Sequence, residues 1–196
     1  MIRIFTTLAF LSVTLFVAAL VMGLSIGDLS ARPAPSLETL HWATRHRLTG
    51  LAAALGVVFV ESIVVTYFIG TSRWCKEVVD TYQLSGAAIA ESNRLKRKTF
   101  PWALAGMFAV IIVGAFGAAA DTTGNLEGNS HGWSDWHLVA AFLGILFVVW
   151  TYVIAWINIF AIYNVIEQTT AQVASIRREK GLDSDGSDGG VRQPNG

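Results

Sequence analysis

Leu48–Gly70 reads LTGLAAALGVVFVESIVVTYFIG. Within it stand one glutamate and no lysine, arginine or proline. At about 1.5 Å per residue a helix of that length crosses roughly 30 Å of hydrocarbon. The run shows no period-2 alternation, so a helix, rather than a barrel strand, is what satisfies its backbone in lipid. Three further runs have the same character: Ile4–Gly27, Pro101–Ala120 and Leu138–Tyr163. The expected fold is therefore all-α, a four-helix transmembrane bundle within one domain spanning residues 1–180.

Composition agrees. Of the 196 residues 53% are hydrophobic and only 14% charged, against about 25% charged in an ordinary soluble domain. The mean hydropathy is +0.51. A formal net charge of zero argues against nucleic acid as a partner, which would want a basic face. The lone Cys75 gives neither a disulfide nor a cluster site.

Orientation follows from lysine and arginine. Arg73, Lys76, Arg94, Lys96, Arg97 and Lys98 lie between the second and third runs; Arg3 precedes the first, and Arg177, Arg178 and Lys180 follow the fourth. The other side holds Arg32, Arg45 and Arg47, offset by Asp28, Glu38, Asp121, Glu127 and Asp135. Both termini are thus expected in the cytoplasm, in a multi-pass protein of a bacterial inner membrane. Trp42, Trp133 and Trp136 would mark the outer interface, and Trp74, Trp102 and Tyr163 the inner one. The first run is too long for a signal peptide and lacks a clear Ala-x-Ala site, so it reads as an anchor.

Helical pattern continues past the runs into cytoplasmic extensions over 71–100 and 164–180, broken at Ser85-Gly86, with Pro101 suited to a helix start. Residues 181–196, rich in glycine, serine and aspartate, read as a disordered tail. The two halves are alike: each first helix ends near an aspartate (Asp28, Asp121), and a polar loop, a histidine pair and an apolar helix follow. Both hairpins would run the same way, a parallel repeat about an axis along the membrane normal. Small residues spaced by four (Ala19, Gly23 and Gly27; Ala52 and Gly56; Gly114 and Ala118) are the expected packing stripes.

All four histidines, His41, His46, His131 and His137, fall on the outer side. Spacings of five and six do not put both rings of a pair on one helix face. His46 and His137, each opening a span at the same level, form the natural cross-bundle pair. His41 and His131 would swing in from the loops, and Asp28 and Asp121 would act as ligands or as acceptors for ring N–H groups. Such a set suits a transition metal or haem b. The helix count is similar to that of bis-histidine membrane cytochromes, whose ligands lie deeper in their helices.

Glu61 lies about 20 Å into its run at 1.5 Å per residue. A carboxyl at that depth should face the bundle interior, where Thr151 and Tyr152, or Ser12 and Thr14, offer hydroxyls. Asn158 is a weaker case of the same kind. The phosphate-loop, zinc-protease and nucleophile-elbow motifs are all missing from the sequence, so soluble-type catalysis is not expected. The leading expectation is a non-catalytic subunit or anchor of a larger membrane complex, with the bilayer and a protein partner or further copies of itself as its surroundings. A haem or metal protein using the histidines ranks second, and an oligomeric proton or ion pathway around Glu61 third.

Overall fold

The computed structural model describes residues 1–26, 36–121 and 130–182, with side chains from Trp133 onward in the last stretch. Among these the chain is four helices and no strand: α1 Ile2–Leu24, α2 Leu37–Tyr82, α3 Ala87–Ala120 and α4 Ser130–Glu179. All four are long and apolar enough to cross a membrane.

Local chemistry sets the ends. Ser36 caps α2, its hydroxyl accepting the Thr39 N–H at 3.1 Å, with Glu38 in the positively poled first turn. Gly181, at φ 66°, closes α4: its N–H donates to the Arg178 carbonyl and that of Leu182 to Arg177, the pairing of a Schellman stop. Arg177 and Arg178 in the last turn suit the negative pole.

Two boundaries differ from expectation. α2 begins at Leu37 and α4 at Ser130, so all four histidines belong to helices and none sits in a loop. The polar segments before the apolar runs are first turns of the same helices, since neither contains a proline or glycine cluster strong enough to stop one. Pro101 does not start α3 but lies inside it. Its missing N–H leaves the Arg97 carbonyl without its helical partner, at a position exposed on the bundle surface.

α1 and α3 each pack against both α2 and α4, α2 and α4 touch across the diagonal, and α1 and α3 do not meet. Phe5, Phe16, Val57, Val64, Phe68, Val110, Val148, Ala155 and Ile159 fill the centre. The outside is equally apolar, with Phe10, Leu55, Phe59, Phe108, Ile111, Phe142, Leu146 and Trp150 all exposed. A helix apolar all round is one made for a non-aqueous surrounding.

α2, α3 and α4 run on past the start of α1 as a three-helix stalk, closed by Cys75, Val79, Ser92, Leu95 and Thr169. The stalk is the extended end of the bundle; the opposite one, where α1 stops and α2 starts, is the histidine end.

The packing stripes need correction on two helices. Gly114 and Ala118 face outward, and a Cβ on Gly114 would meet nothing within 4 Å. On α3 the close approaches are made by Gly106 and Gly117, and on α2 the buried residue is Ala53, while Ala52 is exposed.

Candidate functional site

Two polar layers interrupt the apolar interior, both carried by the diagonal pair α2 and α4. The first is at the histidine end. His46 and His137 meet with ring centroids 6.0 Å apart and planes inclined at 74°. Each ring is half-buried and sits over a glycine of its hairpin partner. A Cβ on Gly23 would come 3.0 Å from Cε1 of His46, and one on Gly117 3.0 Å from Cε1 of His137. A methyl group at either position would press on the ring and require it to shift by a few tenths of an ångström.

The ring nitrogens are placed alike. Nδ1 of His46 is 2.9 Å from the Ala19 carbonyl, one turn before Gly23. A carbonyl only accepts, so Nδ1 carries the proton and the lone pair falls on Nε2. His137 faces the carbonyl of Val113, one turn before Gly117, although its buried Nδ1 reaches no partner at hydrogen-bonding geometry. The two hairpins thus present the same device twice: a histidine of the second helix, a glycine beneath it, and a carbonyl one turn away.

The remaining candidates fall elsewhere. His41 is exposed. Asp121 accepts from Nη2 of Arg47 at 3.2 Å, bridging α3 to α2 beside the rings. Asp28 and the His131 side chain lie outside the described residues. Among those described, no three histidine, cysteine, aspartate or glutamate side chains gather as a metal ion would require.

The second layer lies midway along the bundle and draws on every helix. Glu61 of α2 is fully buried. Its Oε1 is 2.8 Å from Oγ1 of Thr151 on α4, and the same hydroxyl is 2.8 Å from the Val148 carbonyl. Gly106 of α3 leaves the room: a Cβ there would stand 2.8 Å from Oε1 and 3.1 Å from the Thr151 hydroxyl. Next to it the Tyr152 hydroxyl and Ser12 of α1 share a hydrogen bond of 2.8 Å. Oε2 of Glu61 has no partner among the described residues. Below this layer, Asn158 donates to Oγ1 of Thr99 at 3.0 Å, joining α4 to α3.

Glu61, Thr151, Tyr152 and the His46–His137 pair were visible in the sequence as polar residues at matching depth. Gly23 was visible only as part of a packing stripe, and Gly106 and Gly117 were not visible at all. Their signal, a glycine where the facing helix carries a large polar side chain, exists only once the helices are paired.

Searches against protein-family models, curated proteins and solved structures find no match to this chain.

Proposed function

We propose that this chain is a four-span integral membrane protein that binds haem b between His46 and His137 and carries single electrons there, as a subunit of a larger membrane complex. The observation that carries the reading is the spacing of the two rings. With metal–nitrogen bonds of about 2.0–2.1 Å and a ring radius of about 1.15 Å, imidazoles on opposite sides of one ion have centroids roughly 6.4 Å apart. The observed 6.0 Å is close to this.

Haem fits this donor set better than a bare ion. A tetrahedral metal takes four donors and usually three or more from protein, while two rings meet here; a haem would be held by His46 and His137 and would supply one-electron chemistry. The carbonyl of Ala19 fixes the tautomer that leaves Nε2 of His46 free to bind, the orienting role that outer partners play around metals. The chain supplies the two donors, their orientation and an apolar wall.

Topology enters the same proposal. The positive-inside bias places both termini and the stalk in the cytoplasm and the histidine pair near the opposite face. The matching histidine, glycine and carbonyl in each hairpin support a parallel repeat of the two halves.

The test is a visible spectrum of protein purified from haem-sufficient cells, with haem and metal content measured on the same sample. One haem per chain with a low-spin reduced spectrum, lost in His46→Ala and in His137→Ala, is expected. A haem-free preparation, or a spectrum unchanged in either variant, overturns the reading. Stoichiometric zinc or copper without haem would assign the pair to a bare ion instead.

A second reading retains the subunit role without a cofactor. A centroid distance of 6.0 Å is also that of an ordinary edge-to-face ring contact, and the stalk is a ready surface for a cytoplasmic partner. The same haem-free result would favour it.

A further inference from the structure

We infer that Glu61 is a proton-binding site in the middle of the bundle, held as the neutral acid and exchanging its proton with the extended end alone. The inference is independent of what the histidine pair binds.

Counting hydroxyl protons gives the first argument. Thr151 has one, yet its oxygen is 2.8 Å from two atoms, the Val148 carbonyl and Oε1 of Glu61. The carbonyl can only accept. If Thr151 donates to Val148, the hydrogen bond with Glu61 must be made by a proton on Glu61. The neutral acid satisfies both contacts at once, while a carboxylate leaves one of them without a hydrogen.

The surroundings favour the same form. None of the ion pairs among the described residues involves Glu61. The groups facing it are the hydroxyls of Thr151 and Tyr152 from α4, Ser12 from α1 beside Tyr152, and the bare backbone of Gly106 from α3. Tyr152 is the one titratable group among them. A carboxylate without a cation at such a depth is strongly disfavoured.

Direction comes from what lies on either side. Toward the histidine end the core is Phe16, Ala53, Val57, Val110, Val113 and Ala141, apolar throughout. Toward the extended end polar groups recur. Asn158 and Thr99 are bonded to each other, seven residues from Thr151 and Gly106 respectively, about 10 Å along the axis. Ser92 follows at another seven on α3 and bonds the Ile89 carbonyl. Ser72 of α2 is buried nearby in the stalk with its hydroxyl unpartnered, as is Oε2 of Glu61. Buried polar atoms without a protein partner are where internal water is found; the third such atom, Nδ1 of His137, is fourteen residues from Thr151 on α4, about 21 Å across apolar core. Val64 and Phe68 fill the α2 face between Glu61 and Ser72, whereas the small side chains of Ala103 on α3 and Ala155 on α4 stand between the two polar layers, so the path is assigned to the α3–α4 seam, where internal water would have to bridge the gap.

The exchange creates no net charge: a solvent deuteron replaces the proton on the Glu61 carboxyl, which leaves as HOD. Infrared spectra of the full-length protein after transfer from H2O to D2O read it directly. A protonated-carboxyl band at neutral pH, absent in Glu61→Gln, is expected to shift on deuteration. Thr99→Val, alone or with Asn158→Leu, should slow that shift at least tenfold, while Thr99→Ser, which keeps the hydroxyl, leaves it near the original rate. If Asn158→Leu fails to fold, Thr99→Val against Thr99→Ser decides. No band sensitive to Glu61→Gln at neutral pH overturns the neutral acid, and equal exchange rates in Thr99→Val and the parent overturn the path.

Discussion

Gly117 lies directly beneath His137: a methyl group in place of its hydrogen would stand 3.0 Å from Cε1 and 3.3 Å from Nδ1 of the ring. Gly23 stands in the same relation to His46, at 3.0 Å and 3.2 Å. Both glycines stand in the last turn of their helices, Gly23 one residue before the end of α1 and Gly117 three before the end of α3, and each leaves open the space that a facing side chain enters. In both hairpins that is an imidazole.

Gly117→Ala and Gly23→Ala are therefore expected to push the rings off their present positions, at about 1–3 kcal/mol each, the range for overpacking. Gly114→Ala is the control. It lies within a turn of Gly117, has open space where its Cβ would go, and should be neutral or stabilising. Unfolding of the detergent-solubilised variants measures both. On the proposed function the first two also weaken or shift the haem spectrum, and Gly114→Ala leaves it as it is.

The Ser12–Tyr152 hydrogen bond ties α1 to α4 through a buried pair, on a flank where few other contacts hold α1. Hydrogen bonds between membrane helices average about 0.6 kcal/mol and reach about 1.7. Ser12→Ala and Tyr152→Phe should each cost an amount in that range. Combined, they should cost less than their sum, because each alone removes the same bond. Additive losses in the double-mutant cycle would show that the two hydroxyls do not interact.

Glu61 separates shape from chemistry. Glu61→Gln keeps the volume and offers Thr151 either a donor or an acceptor, so expression and stability should be close to the parent. Glu61→Leu removes the interhelical bond, leaves Thr151 only its own helix as partner, and should lower stability by about 0.6–1.7 kcal/mol. Gly106→Ala, which would place a Cβ 2.8 Å from Oε1, should cost more than Glu61→Leu, because it drives the carboxyl out of its place. A destabilisation of Glu61→Gln as large as that of Glu61→Leu would mean that the layer depends on an ionised glutamate.

Why were the polar layers legible in the sequence and the packing faces not? Glu61, Thr151 and His46 stand out because each is polar in a run where nearly all else is apolar, and residue counting puts them at a depth. The packing face is a question of phase. Leu51, Leu55 and Phe59 face outward while Ala53, Val57 and Val60 face inward, and both sets are apolar. In an apolar-all-round helix the hydrophobic pattern no longer marks the inside. Spacing by four then fits several faces, which is how Gly114 and Ala118 read as a contact stripe when Gly106 and Gly117 make the contacts. The helix starts were misplaced for a related reason: the change from polar to apolar at Leu48 and Leu138 reports a change of surroundings along one continuous helix, not its beginning.

Topology is decided by thiol labelling, with Cys75 as the internal constraint. Cys75 lies beyond the apolar run of α2, buried in the stalk against Ser92; burial pushes its thiol above the ordinary range, and the Ser92 hydrogen bond works the other way. A raised value means less thiolate at neutral pH, and the thiolate is the reactive form. Native protein should therefore leave an impermeant maleimide unreacted, and Cys75 should label only after unfolding. In a Cys75→Ser background a cysteine at Gly86, exposed between α2 and α3 with no atom within 4 Å of its Cβ position, should stay unlabelled in intact cells and react once the membrane is opened. A cysteine at Leu37, 75% exposed at the start of α2, should react from outside in intact cells. The reverse pattern would place the basic stalk outside and the histidine pair near the cytoplasm, against the lysine and arginine bias. Equal labelling of both from outside would mean that Leu37 and Gly86 share a side, and α2 would not be a span.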